Sequence, residues 1–182
     1  MKKSPKKIFL LSVGALFLLV GSFLAYGVYS FMTSPLFGEE PDDQPDDVLI
    51  TNFHAHRAEF EQLREMSTED ATMTRVDDNW TNPSSLNPTR VAEYRRLFKV
   101  IGTPRGIIAH PNRDRIEFIS TSHGWVVSGS SKGYLYLKER PNLKERSIKL
   151  VDNLDGYAWH SEIDTFVIRH IEGNWYLFFE RS

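Results

Sequence analysis

The chain has 182 residues, a formal net charge of -2 and no cysteine. The missing thiols exclude a disulfide scaffold, a thiolate metal site and a cysteine nucleophile. The near-neutral charge argues against nucleic acid as a partner, because nonspecific binding to nucleic acid requires a basic surface. The length fits one domain of ordinary size.

An uncharged apolar segment, residues 8–31, follows a short lysine-rich start, residues 1–7. At about 1.5 Å of rise per residue it makes a helix of about 36 Å, which exceeds a bilayer core of about 30 Å. Lysines precede this segment, whereas no lysine or arginine follows it before Arg57 and six acidic side chains lie in between. The positive-inside rule therefore predicts a transmembrane signal-anchor helix, with a cytoplasmic N-terminus and an extracytoplasmic C-terminal domain. The lipid bilayer is the first partner that the sequence predicts.

Two features of this segment leave alternatives open. Ala25-Tyr26-Gly27 resembles a cleavage site, so a cleaved signal peptide is the competing interpretation. Gly21 and Ala25 form a pair of small residues four positions apart, which permits two such helices to pack as a homodimer.

Residues 32–47 contain three prolines and six acidic side chains and have no hydrophobic periodicity. This composition predicts an extended linker. Residues 48–182 then form one extracytoplasmic domain, in which acidic and basic side chains are balanced.

Helical patterns come first in this domain. Residues 51–66 place apolar side chains at the period of a helix. Asn87 and Pro88 are typical of an N-cap and a first helical residue, and Gly102 is typical of the end of a helix. The sequence therefore predicts two amphipathic helices, the second over residues 88–101.

From Gly106 onward the apolar period changes to two, which indicates strands. Gly173-Asn174 is typical of a tight hairpin turn, and residues 129–133 are interpreted as a longer turn. We predict an α+β fold in which the two helices pack on an antiparallel meander sheet of about six or seven strands. The predicted strands are residues 106–110, 115–121, 125–128, 134–139, 147–151, 164–171 and 175–180, and residues 72–77 form a short extended piece.

The segment Gly129-Ser130-Ser131-Lys132-Gly133 matches the G-x-S-x-G pattern. In α/β-hydrolases that pattern exposes a nucleophilic serine between a strand and a helix. Strand patterns lie on both sides of it here, so a hairpin turn is favoured over a nucleophile. A backbone nest that holds an anion with Lys132 is the remaining alternative.

The histidines do not predict a metal site or any other cofactor. His54 and His56 are two positions apart, and on a helix such side chains point in nearly opposite directions. His110 and His123 occupy turns or strand ends, where exposure to solvent is expected.

One histidine lies close to acids in a loop before the last hairpin. His160 and Asp164 can form a pair that acts as a general base, and Tyr157 lies nearby. These three residues are weak candidates for catalysis. A loop that packs through Trp159 and keeps its polar groups in water explains the same pattern, so an enzyme is less expected than a binding protein.

Aromatic side chains are concentrated in the second half of the domain, and the weak candidates for binding are Trp159, Trp175, Tyr176 and Phe178. Alternation along the last strand makes both of its faces apolar, so both faces need a cover. The cover can be the helices, a neighbouring subunit or a ligand.

The order of the elements, helices followed by hairpins and a last strand over residues 175–180, resembles the curved-sheet cystatin-like and nuclear-transport-factor-like domains. This resemblance concerns the fold and implies no site. We expect a non-catalytic envelope protein whose domain binds a protein or peptide through aromatic surface or a sheet edge. The alternative is a hydrolytic enzyme or small-ligand binder with a pocket between the sheet and the helices.

Overall fold

A computed structural model describes residues 43–125, 128–141, 148–157, 162 and 165–182, together with Tyr26. The chain separates into two units, Met1–Pro41 and Asp42–Ser182. None of the helices in these described ranges is long and apolar enough to cross a bilayer. The predicted transmembrane segment, residues 8–31, lies outside them apart from Tyr26.

The described part of the second unit contains three helices, α1 (Asp46–Ala55), α2 (Arg57–Glu69) and α3 (Pro88–Ile101). The prediction of one helix over residues 51–66 is wrong in detail, because the backbone breaks at His56, where φ is -120°. The apolar period continues across this break and therefore conceals it in the sequence.

The prediction for α3 is confirmed at both ends. The Asn87 side chain accepts a hydrogen bond from the Thr89 N–H at 2.9 Å, and Pro88 is the first helical residue. Gly102 ends the helix in the left-handed conformation, with φ of 67°. These local signals need no tertiary contact, which explains why the sequence shows them clearly.

The fold is α+β, as predicted, with a mostly antiparallel sheet in the order β2-β1-β3-β4-β5-β8-β7-β6. The described residues contribute eight strands rather than six or seven, because two additional short strands precede α3. The meander is interrupted because β5 pairs with β8, and β6 runs parallel to β7. The strands are β1 (Arg75–Val76), β2 (Thr81–Asn82), β3 (Ile107–Ala109), β4 (Arg115–Trp125), β5 (Ser128–Leu137), β6 (Ile148–Leu150), β7 (Thr165–Glu172) and β8 (Trp175–Arg181).

Residues 129–133 lie inside β5, so their interpretation as a turn is wrong. Small side chains hide the strand pattern there, and one of them is required by the packing. A Cβ on Gly133 would lie 2.1 Å from the Phe118 carbonyl oxygen, beside an irregularity in the β4–β5 register between Ile119 and Thr121. Glycine allows the two backbones to approach closely at this point.

Each face of the sheet carries an apolar layer. The face that α1, α2 and α3 cover includes Phe118, Tyr134 and Trp175, which pack against Phe53 and Phe60 of the helices. We call the buried layer on the opposite face the outer cluster, and its members are Ile119, Leu135, Phe166, Ile168, Tyr176 and Phe178. The sequence-based expectation of two apolar faces along the last strand is therefore confirmed.

Candidate functional site

Four charged side chains form a network between α1 and the sheet, which we call the buried charge cluster: Asp46, Lys132, Asp155 and Arg169. Lys132 is 1% exposed and Asp46 is fully buried. The Lys132 ammonium lies 2.9 Å from Asp46 Oδ1 and 3.1 Å from Asp155 Oδ1, while Arg169 Nη1 lies 2.9 Å from Asp46 Oδ2. Asp46 and Lys132 thus form a buried ion pair, and the more exposed Asp155 and Arg169 contact it from the side that faces water.

Two backbone N–H groups also donate hydrogen bonds to this cluster. The Leu154 N–H donates to Asp46 Oδ2 at 2.7 Å, and the Asp46 N–H donates to Asp155 Oδ1 at 2.8 Å. Burial alone would raise the pKa of Asp155, but the hydrogen bonds from the Asp46 N–H and the Lys132 ammonium lower it below its ordinary value. Asp155 is therefore ionised at neutral pH.

Lys132 of the buried charge cluster also belongs to the G-x-S-x-G match, residues 129–133. Ser130 and Ser131 lie in the middle of β5, not at the turn between a strand and a helix that a hydrolase nucleophile occupies. The amino group of Lys132 contacts two carboxylates. It is not available to hold an external anion in a backbone nest.

The residues just before α1 are also fixed to the sheet. Asp43 accepts a hydrogen bond from the Thr121 hydroxyl, and its Oδ1 lies 3.3 Å from His123 Nε2. The side chain of His123 is only 10% exposed, so the expectation that it is solvent-exposed is wrong. Asp43 and Asp46 belong to the acidic stretch predicted as a linker, and in the structure both contact β-strands.

The space between the helices and the sheet is filled by aromatic side chains. The Phe60 and Tyr134 rings are 4.5 Å apart, and the Phe53 and Trp175 rings are 5.3 Å apart. The Trp175 indole N–H donates to Glu61 at 3.1 Å. Trp175, one of the predicted binding residues, is therefore part of the core.

The predicted catalytic set is only partly described. Tyr157 packs against Phe179 with ring centroids 6.0 Å apart, on the helix-covered face of the sheet. His160 and Asp164, together with the predicted binding residue Trp159, lie outside the described residues. The catalytic prediction therefore stays a prediction.

A cleft of about 370 Å³ lies on the face of the sheet opposite the helices. We call it the outer cleft. Burial raises the pKa of the Tyr176 phenol, and the nearby Arg140 guanidinium opposes that increase. The Tyr176 ring meets the His170 ring edge-on at 5.1 Å. The residues that line the outer cleft are Arg140, Pro141, Leu150, His170 and Tyr176.

The outer cleft borders the edge of the sheet. Strand β6 is the last in the strand order and pairs with β7 on one side. Its Leu150 is 47% exposed, which is unusual for an apolar side chain in a sheet. Exposed apolar surface beside a sheet edge is a feature of protein interaction sites.

The predicted residues Tyr176 and Phe178 both belong to the outer cluster, and Tyr176 also lines the outer cleft. Sequence reasoning missed Arg140 and Leu150, which carry no motif. The signal available for Leu150 was its place in a short strand-like segment, between Lys149 and Val151, and that place does not by itself indicate exposure.

A second charged group lies on the outer face. Glu117 is buried, with Arg115 Nε 2.6 Å and His110 Nε2 3.2 Å from its Oε1. Burial and the charge of Glu117 together raise the pKa of Glu180 on β8. The Arg115 guanidinium lies 4.1 Å from the centre of the Phe166 ring. This group balances its own charges and covers part of the outer cluster.

The described part of the chain contains no group of three His, Asp or Glu side chains placed to hold a metal ion. His54 lies 3.7 Å from Glu172, and His56 lies 3.9 Å from Glu59. The two histidines therefore interact with different carboxylates, in agreement with their spacing in the sequence.

The fold and the outer cleft define an α+β domain with an open cleft beside a sheet edge. No protein-family model, curated protein or solved structure matches this chain.

Proposed function

We propose that this chain is a single-pass membrane protein whose extracytoplasmic α+β domain binds an extended segment of an envelope protein or peptide at the outer cleft. The binding is non-catalytic. The observation that carries the proposal is the position of the outer cleft beside β6, with Leu150 exposed at its rim.

The edge of a sheet binds an extended chain by adding a strand to it. Backbone N–H and C=O groups supply the affinity, and pockets for alternate side chains supply the specificity. Strand β6 provides such an edge, and the outer cleft provides a pocket next to it. The outer cluster behind the cleft gives this site a rigid wall.

The first described residue of the domain and the outer cleft use different faces of the sheet. Asp43 contacts Thr121 and His123, which pair with Lys132 and Ser130 of β5, on the helix-covered face. Tyr176 pairs with Leu135, on the opposite face. These positions are also about 10–17 Å apart along the strands at about 3.4 Å per residue, so the contacts of Asp43 and the outer cleft occupy different parts of the sheet.

The membrane location is supported by the sequence pattern of residues 1–47, and a reporter experiment tests it. A periplasmic or extracellular reporter fused after Ser182 is expected to be active, and the full-length chain is expected to resist extraction by carbonate. Activity of a cytoplasmic reporter at the same position, or release by carbonate, contradicts the proposed topology.

The binding proposal is tested by photo-crosslinking in intact cells. A benzophenone side chain at position 150 is expected to capture one discrete partner segment. The control position is Val100 on α3, which is also apolar and 37% exposed but lies on a helix. Equal capture at both positions, or no capture at position 150, contradicts the proposal.

A further inference from the structure

We propose that the outer cleft recognises a carboxylate group of the bound peptide, with the Arg140 guanidinium as the anion-binding group. This inference rests on the proposed function, because it names the chemistry of the occupant of the same site. The juxtaposition that carries it is one exposed arginine beside a tyrosine hydroxyl and two apolar side chains.

Six arginines in the described part of the domain form an ion pair with a carboxylate, and Arg140 is not among them. Arg57, Arg64, Arg90 and Arg115 each contact a carboxylate. Arg140 is exposed and lines the outer cleft, and it has no ion-pair partner within the described ranges. A guanidinium presents two parallel N–H donors that match the two oxygens of a carboxylate.

One further donor lies close to Arg140 in the outer cleft. His170 does not supply it, because its Nε2 already donates to the Gly173 carbonyl oxygen at 3.1 Å. The Tyr176 hydroxyl is a donor close to Arg140. None of the five lining residues that the structure describes is acidic, so these five side chains oppose an entering anion with no negative charge.

The apolar part of the cleft specifies the rest of the ligand. Pro141 and Leu150 suit an aliphatic side chain next to the carboxylate, and the β6 edge suits an extended backbone. The carboxylate comes either from an Asp or Glu side chain of the partner or from its C-terminus. A lipid headgroup lacks the extended backbone, so we favour a peptide.

The test repeats the crosslinking from position 150 in four forms of the full chain: unaltered, Arg140→Gln, Arg140→Lys and the control Arg105→Gln. Arg105 is also exposed, and it lies in the loop after α3. Arg140→Gln is expected to lower the yield about tenfold, which corresponds to one charge-assisted hydrogen-bonded pair. Arg140→Lys is expected to retain part of the yield, and Arg105→Gln all of it.

Mass spectrometry of the captured segment identifies the source of the carboxylate. An Asp or Glu within about two residues of the crosslink indicates a side chain, and a crosslink at the end of the partner indicates a C-terminus. A full yield with Arg140→Gln, a captured segment without any carboxylate, or a lipid adduct overturns the inference while position 150 still captures its target. The absence of any adduct at position 150 instead overturns the proposed function.

Discussion

Replacement of Asp46 by alanine is expected to destabilise the domain strongly. The substitution leaves the Lys132 ammonium with only the half-exposed Asp155, and it removes the acceptor of the Leu154 N–H and of Arg169. Removal of one partner from a buried ion pair costs about 3–5 kcal/mol, because the remaining charge stays buried without compensation. We expect a loss of unfolding free energy in this range.

The neighbouring residue provides a matched control. The Asp47 side chain is 92% exposed and lies 3.8 Å from Arg169. Asp47→Ala removes the same charge from the same turn of α1, but an exposed ion pair contributes less than about 1 kcal/mol. The two variants therefore have the same net charge and differ in whether the lost carboxylate is buried.

Pulse proteolysis of the full-length chain across a urea series measures the difference, because the protease cleaves only unfolded molecules. With a urea dependence of about 2 kcal/mol per molar, the midpoint for Asp46→Ala is expected to fall by about 1.5–2.5 M. The midpoint for Asp47→Ala is expected to change by less than about 0.5 M. Equal midpoints for the two variants refute the reasoning, because they mean that water reaches the Asp46 carboxylate.

Three further predictions concern other parts of the fold. A fragment of residues 42–182 is expected to resist proteolysis better than residues 48–182, which lack Asp46, the fully buried one of the two carboxylates that contact Lys132; equal resistance contradicts this. Gly133→Ala is expected to lower the unfolding free energy by about 1–3 kcal/mol, measured by thermal or urea unfolding. The control Gly156→Ala is expected to lower it much less, because a Cβ added at Gly156 meets no atom within 4 Å. Burial raises the pKa of Glu61, but hydrogen bonds from two arginines and a tryptophan lower it overall. Glu61 therefore stabilises the domain above about pH 4.3, and this contribution is lost as the pH falls through its folded-state pKa. Glu61→Gln is expected to weaken the fall of the unfolding free energy at acid pH. An unchanged fall contradicts this prediction.

Signals that act within a few residues allowed the best predictions from the sequence. The ends of α3 follow from Asn87, Pro88 and Gly102, whose preferences are set by local backbone geometry. The β7–β8 hairpin follows from Gly173, which has a φ of 53°. No tertiary contact is needed to interpret these positions.

The buried charge cluster could not be predicted in the same way. Asp46 is one of six acids in a proline-rich stretch, and Lys132 stands among glycines and serines. Each is typical of an exposed, irregular segment when considered alone. Only the pairing of β5 with β8, which places Lys132 under the start of α1, makes both residues part of the interior.

The charged side chain is buried in the buried charge cluster but exposed in the outer cleft. In the cluster, Lys132 is withdrawn from water and already has two carboxylate partners, so its contribution is to stability. In the cleft, Arg140 is exposed, and no carboxylate pairs with it among the residues described. Loss of Arg140 is therefore expected to leave the urea midpoint unchanged while it reduces capture, whereas loss of Asp46 lowers the midpoint. This separation distinguishes a binding residue from a structural one.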